Sequence, residues 1–371
     1  MLQILEIFSF QSGYMGGVAT MVDAYIKGKE EFAQNNCKLT HLNIAPTINT
    51  GIVKFDNIAY IFTQRKAVRK YLDKNHYDVV HIHTSREFLF LKDVLLAKMI
   101  RKRYNVRIMI TIHVGSIHTV YNRIGWFKEK SIRLLNKYVD KVIFLSKVMC
   151  RDFIEAGLDE KRTVLLYNFY RFIPTEFVPS EEKEPLQLLY VGAIHREKGI
   201  MELLRALSEM ANLNYHLNVC GKLTDNSIKN EVEQMKQLLG CKVSFLGYVT
   251  GEAKTRLFHD SDMLILPSYH EGLPLVIMEA LGAGCAIMST PVGSIPEILQ
   301  DENCLWVDIA SVESIKNQLK SLTENKLTAM KIANKELGQA FTFQEHVKTL
   351  AEIYNNEIND RQNISFIHTE L

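Results

Sequence analysis

Glu271 and Glu279, with seven residues between them in the stretch from Ser261 to Leu299, are the pair whose type and spacing most directly suggest chemistry. The run Met263–Leu266 reads as a buried strand that passes through Pro267-Ser-Tyr-His-Glu-Gly-Leu-Pro274 into a helix, with Pro274 able to occupy its first turn. Glu271 then sits in the loop and Glu279 lies about one and a half turns into the helix. At a rise of about 1.5 Å per residue the two carboxylates bracket the helix N-terminus on a scale of about 10 Å. Such an N-terminus offers free N–H groups and the positive end of the dipole to an anion, while flanking carboxylates accept hydrogen bonds from hydroxyls. A diphosphate with a ribose on one side and a sugar on the other fits that layout. Glu279 also stands in an otherwise apolar run, VIMEALGAG, where its desolvation is costly unless a ligand or a partner satisfies it.

Two other loops carry chemistry. Gln11–Val18 contains Gly13, Gly16 and Gly17 ahead of a helical pattern that begins near Ala19. Gly16 and Gly17 suit either a close approach of backbone to an anion or a tight strand-to-helix turn, and their spacing is not the dinucleotide fingerprint. Val191–Gly199, VGAIHREKG, places Arg196 and Lys198 where a fork and a point charge could clamp phosphate, with a solvated charged loop as the alternative. Other signals are weaker. Asp260 and Asp262 have the D-x-D spacing of a metal site, but they lead into a buried strand and the remaining oxygen ligands are not evident. His81 and His83 share one face of a strand with no obvious third ligand, so His83 reads as a cleft-lining polar residue. Glu297 reads as a helix-start carboxylate.

These loops need strands to hold them, because in open parallel sheets ligands bind beyond the carboxyl ends of the strands. Short β-branched runs alternate with amphipathic segments, the pattern of βαβ units. Strands are expected at Gln3–Phe8, Leu39–Ile44, Val79–His83, Val106–Ile112, Val142–Leu145 and Val164–Leu166, and again at Leu186–Val191, His216–Cys220, Val243–Leu246, Met263–Leu266, Ala286–Ser289 and Cys304–Val307. This predicts an α/β chain of two doubly wound, Rossmann-like domains, 1–170 and 186–342, joined by a Pro- and Glu-rich linker at 171–185. A helix is expected over Phe343–Asn355.

Length and composition agree with two domains: 371 residues exceed an ordinary single core, with 47% hydrophobic and 23% charged residues. No basic flank opens the chain and no run reaches a membrane span, so a cytoplasmic protein is expected. The six cysteines lack C-x-x-C spacing and read mostly as core residues in a reducing compartment. The net charge of +2 hides an imbalance, since residues 1–170 hold 26 Lys and Arg against 15 Asp and Glu. The first half therefore carries +11 and the remainder −9, which favours an anionic partner for the first half.

The Glu-x7-Glu pair, preceded by LPS and followed by the A-L-x-x-G and V-G positions, resembles the signature of the family-four retaining glycosyltransferases of GT-B architecture. The Gly-Gly loop at 16–17, DVVHIH at 78–83, TIHVG at 111–115, VGAIHREKGI at 191–200, CGK at 220–222, SFLGYV at 244–249 and the terminal aromatic helix follow in the same order. The resemblance implies two Rossmann-like domains facing across a cleft, with the C-terminal helix, about 343–371, returning to the first. It implies that Glu279 holds the ribose hydroxyls and Glu271 those of the transferred sugar. Lys198 would neutralise the diphosphate, helped by the backbone of Gly272, Leu273, Pro274 and Leu275 and by Gly17. Gly247, Tyr248 and Val249 would line the base, and His113 would meet the donor sugar. His83 would stand on the acceptor side.

The reaction so implied moves a sugar from a nucleotide sugar to an acceptor hydroxyl with retention, using neither cofactor nor metal. Where many members have Arg, this chain has Ala193, which leaves Arg196 to supply that charge or weakens the site. The basic stretches Lys92–Arg107 and Arg123–Lys137 add a membrane expectation. In the second, Ile124, Phe127, Ile132 and Leu135 can share an apolar side beside Trp126, as in a helix lying in an anionic membrane interface or one packed on its own sheet. Together with the charge imbalance and the resemblance this predicts peripheral docking on the inner face of the cell membrane, a lipid-linked or glycan acceptor, and no nucleic-acid partner. A nucleotide-sugar epimerase of similar fold and a non-catalytic partner subunit are the alternatives.

Overall fold

The computed structural model describes residues 1–9, 17–45, 53–84, 87–113, 127–171 and 185–368, with side chains undescribed at 53–62, 87–89, 127–128 and 359–368. The chain forms two compact units, Met1–Tyr167 with Gln344–Leu371, and Asn168–Phe343. Each expected strand forms, shifted by at most a residue or two at its ends. Such shifts are ordinary, because strand ends are set by ladder pairing that hydropathy does not report.

In the first unit β1 (Leu2–Phe8), β2 (Cys37–Asn43), β3 (Val79–Thr84), β4 (Arg107–Ile112), β5 (Lys141–Phe144) and β6 (Thr163–Leu165) form one sheet, ordered β2-β1-β3-β4-β5-β6. Its ladders are parallel, with Glu6 opposite His81, and His83 opposite Thr111. Parallel strands need crossovers, and the helices between them provide these. One face, with Leu5, Ile7, Val80, Ile82, Ile108, Ile110, Val142 and Phe144, is apolar and packs on Val94, Ala97, Ile100, Ile132, Leu135 and Phe153. Ile132 and Leu135, exposed at 3% and 0%, thus spend the apolar side of helix Phe127–Tyr138 on their own sheet. That corrects the expectation of a bilayer-inserting helix over its described part; Ile124 and Trp126 lie outside the described residues. Lys130, Arg133 and Lys137 remain on its exposed side.

In the second unit β7 (Leu186–Val191), β8 (Tyr215–Cys220), β9 (Val243–Gly247), β10 (Met263–Leu266), β11 (Ala286–Ser289) and β12 (Cys304–Trp306) form a parallel sheet ordered β12-β11-β10-β7-β8-β9. The topology reverses between β7 and β10, the place where open α/β sheets bind ligands. Leu188, Tyr190, Leu217, Val219, Met263, Ile265 and Met288 pack on helices Ile200–Ser208, Lys229–Leu239 and Val312–Lys320. The chain enters this unit at Asn168, ahead of the expected linker, because the Asn168 amide donates to Leu273 O (2.7 Å) and Tyr170 N to Phe341 O (2.9 Å). Residues 172–184 of that linker lie outside the described residues. The last helix runs Phe343–His368, beyond the Phe343–Asn355 of the periodicity and close to the 343–371 that the resemblance implies.

Four cysteines are buried, Cys150 is intermediate, Cys241 is exposed, and all six are free thiols. Among the described residues no helix is long and apolar enough to cross a membrane.

Candidate functional site

At the switch point of the second sheet two loops meet. The first follows β7 and contains a short 3-10 turn, Arg196–Lys198, capped by the His195 side chain and ended by Gly199 at φ 68°. The second follows β10, and Tyr269 N donates to Glu197 O at 2.8 Å to tie the loops together. Gly199 permits both the turn and the approach, since a Cβ there would lie 2.0 Å from Pro267 O. A third loop backs the second. Ser294 N donates to Gly272 O (2.9 Å), and a Cβ on Gly293 would meet Glu271 O at 2.1 Å. The V-G pair at 292–293 thus has a backbone reason.

Lys198 Nζ donates to Glu271 Oε1 at 2.7 Å. Behind them Tyr190 is fully buried, its hydroxyl donating to Ala193 O at 2.8 Å; burial and then the Glu271 charge push its ionisation up. Helix Leu275–Ala283 starts at Pro274, an N-cap with no side-chain acceptor, so its first N–H groups meet no side-chain cap. Glu279 carries the second ion pair: Lys254 Nζ, from helix Gly251–Asp260, donates to both carboxylate oxygens at 2.7 and 2.6 Å. Burial raises the Glu279 pKa and the ammonium opposes that rise. Lys254 answers the question that Glu279 raises in sequence, namely what satisfies a carboxylate on an apolar helix. Its only sequence signal is a lysine early in a helix, which singles out nothing.

The other second-unit positions separate into two sets. Gly247, Tyr248 and Val249 sit at the carboxyl end of β9, where Lys222 Nζ stands 5.6 Å from the Tyr248 ring centre. Arg196 takes a different partner from the one expected, its guanidinium donating to Glu231 (2.7 Å), which also holds Arg205 (2.7 Å). Asp262 lies at the amino end of β10, away from the ligand-binding edge, and accepts from Gln187 N (2.9 Å) and Lys331 Nζ (2.9 Å). Its oxygens join elements of the core.

In the first unit the sheet face opposite the apolar one carries a mostly buried polar cluster among apolar residues such as Ile4 and Met109. Glu6, His81, His83, Thr111 and His113 lie on it, covered by Tyr25 of helix Gly17–Lys27 and by His346 and Tyr354 of the last helix. His83 Nδ1 meets His113 Nε2 at 3.1 Å, and His81 is held by Tyr354 Oη and Thr111 Oγ1, both at 2.7 Å. Burial drives the Glu6 carboxyl up, but the neighbouring His41, His83 and His81 imidazoles outweigh it and hold it well below the carboxylate range. Burial, reinforced by His83, holds His113 well below the imidazole range. Sequence shows no third ligand near His81 and His83; the structure supplies Glu6, with all three ligand atoms within 4.8 Å. Both nitrogens of His81 are nonetheless taken by hydroxyls, so the cluster is a hydrogen-bonded network. Gly17 opens its helix on the surface, and Gly16 lies outside the described residues.

Two six-stranded parallel sheets with these loops define an α/β protein of GT-B architecture. A solved structure from Anabaena, in complex with UDP and glucose, superposes with TM-score 0.69 at 15% identity over 94% of this chain and 99% of that one. The glycosyl transferases group 1 model matches residues 173–338 and the glycosyltransferase family 4 model residues 27–171, so the chain belongs to this glycosyltransferase family. An uncharacterised glycosyltransferase of Methanocaldococcus jannaschii is 23% identical over 94% of this chain and 96% of its own length. A Campylobacter jejuni N-acetylgalactosaminyltransferase, named for an undecaprenol-diphosphate-linked glycan, is 28% identical over 53% of this chain and 56% of its own.

Proposed function

We propose that the chain moves a sugar from a nucleoside diphosphate donor to a hydroxyl of a lipid-linked acceptor, with retention of anomeric configuration. The observation that carries this reading is the pair of lysine–carboxylate contacts, Lys198–Glu271 and Lys254–Glu279, flanking the start of helix Leu275–Ala283. A diphosphate at that N-terminus meets the first N–H groups and the Lys198 ammonium, which leaves Glu271 to accept hydroxyls of the transferred sugar. Glu279, steadied by Lys254, accepts the ribose hydroxyls. Departure of the diphosphate develops negative charge where these donors already stand, so catalysis is electrostatic preorganisation. His113 orients the donor. No metal is needed, since Lys198 and the helix supply the positive charge. The Anabaena protein, bound to UDP and glucose, supports the donor class, and the undecaprenol-linked relative supports the acceptor class.

Docking on an anionic surface is electrostatic in this reading. Lys130, Arg133 and Lys137 form one exposed basic face, and Arg65, Lys66, Arg69, Lys70 and Arg103 line a second with Asp73. Flotation with anionic vesicles tests it: binding is expected at low salt, falling steeply with added salt and with charge reversal at Lys130 and Arg133. Absence of binding at low salt, with efficient transfer to a soluble sugar, would put the acceptor in solution. Conversion of the donor into an epimeric nucleotide sugar without any acceptor would favour an epimerase.

A further inference from the structure

We propose that Glu6, acting through His83, decides which ring nitrogen of His113 carries its proton, which makes His83 a positioning residue. This rests on the reading of His113 as the imidazole that faces the donor.

The geometry is a carboxylate, an imidazole and a second imidazole in series. His83 Nε2 lies 3.8 Å from Glu6 Oε1, and on the other side of the ring Nδ1 meets His113 Nε2 at 3.1 Å, with the two rings 25° from parallel. Glu6 is 0% exposed and His83 3%, and His83 Nε2 makes no closer hydrogen bond among the described residues. The groups around them already have uses. From the last helix, Tyr354 Oη donates toward Glu6 Oε1 (3.5 Å) and accepts from His81 Nδ1 (2.7 Å), which leaves His81 Nε2 to accept from Thr111 of β4 (2.7 Å). His346 Nδ1 donates to Tyr167 O (3.1 Å), so its Nε2 accepts from Tyr25 Oη of helix Gly17–Lys27 (2.5 Å). From β2, His41 Nδ1 faces the other Glu6 oxygen at 3.3 Å. Glu6 is therefore the acceptor that His83 Nε2 faces.

The proton follows from this inventory. A carboxylate cannot donate, so His83 carries its proton on Nε2 and presents a bare Nδ1. His113 Nε2 must then hold a proton to donate there, and His113 Nδ1 is an acceptor, ready for a hydroxyl. The polarity of the ligand-facing nitrogen is thus set one residue back, much as a carboxylate fixes a histidine tautomer in a hydrolase triad.

The test is nitrogen NMR on the full chain with selectively labelled histidine, with His113 assigned by substitution and no donor present. In the wild type His83 and His113 are each expected as a single tautomer, protonated on Nε2. Glu6→Met removes the acceptor and should bring the two His113 tautomers toward equal populations. Comparable amounts of the two His113 tautomers in the wild type, which needs no variant, would overturn the proposal, as would an unchanged tautomer in a folded Glu6→Met protein. Separately, full turnover in His113→Ala would remove the donor-facing role of His113 while leaving the coupling intact, so the two failures are distinguishable.

Discussion

The two units share one architecture and differ in where they keep their polar residues. In the second unit Lys198, Glu271 and the start of the helix at Pro274 occupy loops beyond the strands, and apart from Ser289 the buried strand residues are apolar. In the first unit Glu6, His81, His83 and Thr111 are strand residues, buried and held by two covering helices. Loop-borne groups can exchange partners with a ligand at little structural cost, whereas strand-borne groups are fixed by packing and resist change of charge. The second arrangement suits binding a charged donor; the first suits holding an imidazole still.

The sharpest way to break that contrast is to remove the loop cation. Lys198→Ala is expected to lower turnover by about 10²–10³-fold, the usual cost of losing one preorganised charge at a leaving group, with the thermal transition little changed. Turnover near wild type would transfer the neutralising role elsewhere.

Acid distinguishes the units next. Burial pushes His346 down to about 3 and holds His81 and His113 well below the imidazole range, so the folded first unit binds these protons more weakly than the unfolded chain does. Stability from neutral burial is complete above the unfolded imidazole value of about 6.5 and is lost as pH falls from there toward the folded values. Glu6, held low, loses its contribution in the same direction at more acid pH. Glu279 is raised, so acidification does not strain it in the folded state. Amide hydrogen exchange followed from neutral to acid pH should show protection failing first in β1, β3 and β4; simultaneous loss in β7 and β10 would erase the contrast.

The smallest effect concerns Lys254. Replacing it with Met strands a largely buried carboxylate, and denaturant unfolding should show a loss at or below the low end of the ~3–5 kcal/mol typical of broken buried pairs. Glu279→Leu in the same chain should restore most of it, and no restoration would mean Lys254 acts through other contacts.

The second unit is the more legible in sequence, and the reason is physical. A charged residue between a buried apolar run and a helix has few structural uses, so Glu271 and Lys198 stand out. Pro274 marks the helix start, and the apolar neighbours of Glu279 mark its need for a partner. The identity of that partner, Lys254, depends on how helices Gly251–Asp260 and Leu275–Ala283 pack, which no local pattern encodes. Arg196 shows the converse: it looks like a phosphate clamp until Glu231, thirty-five residues on, takes its guanidinium. In the first unit Glu6 is one polar residue in an apolar strand. Its meaning depends on four strands and two helices meeting over one face, so the network is invisible until the sheet is assembled.

That the donor is held by the second unit through Glu279 is tested most directly by calorimetric titration of the free nucleoside diphosphate into the wild type and Glu279→Ala, with the thermal transition of each recorded beside it. Loss of a carboxylate that accepts ligand hydroxyls should weaken binding by roughly tenfold or more while the variant stays folded, since hydrogen bonds to a charged group contribute about 1.5–3 kcal/mol. Equal affinities in two folded proteins would contradict the assignment.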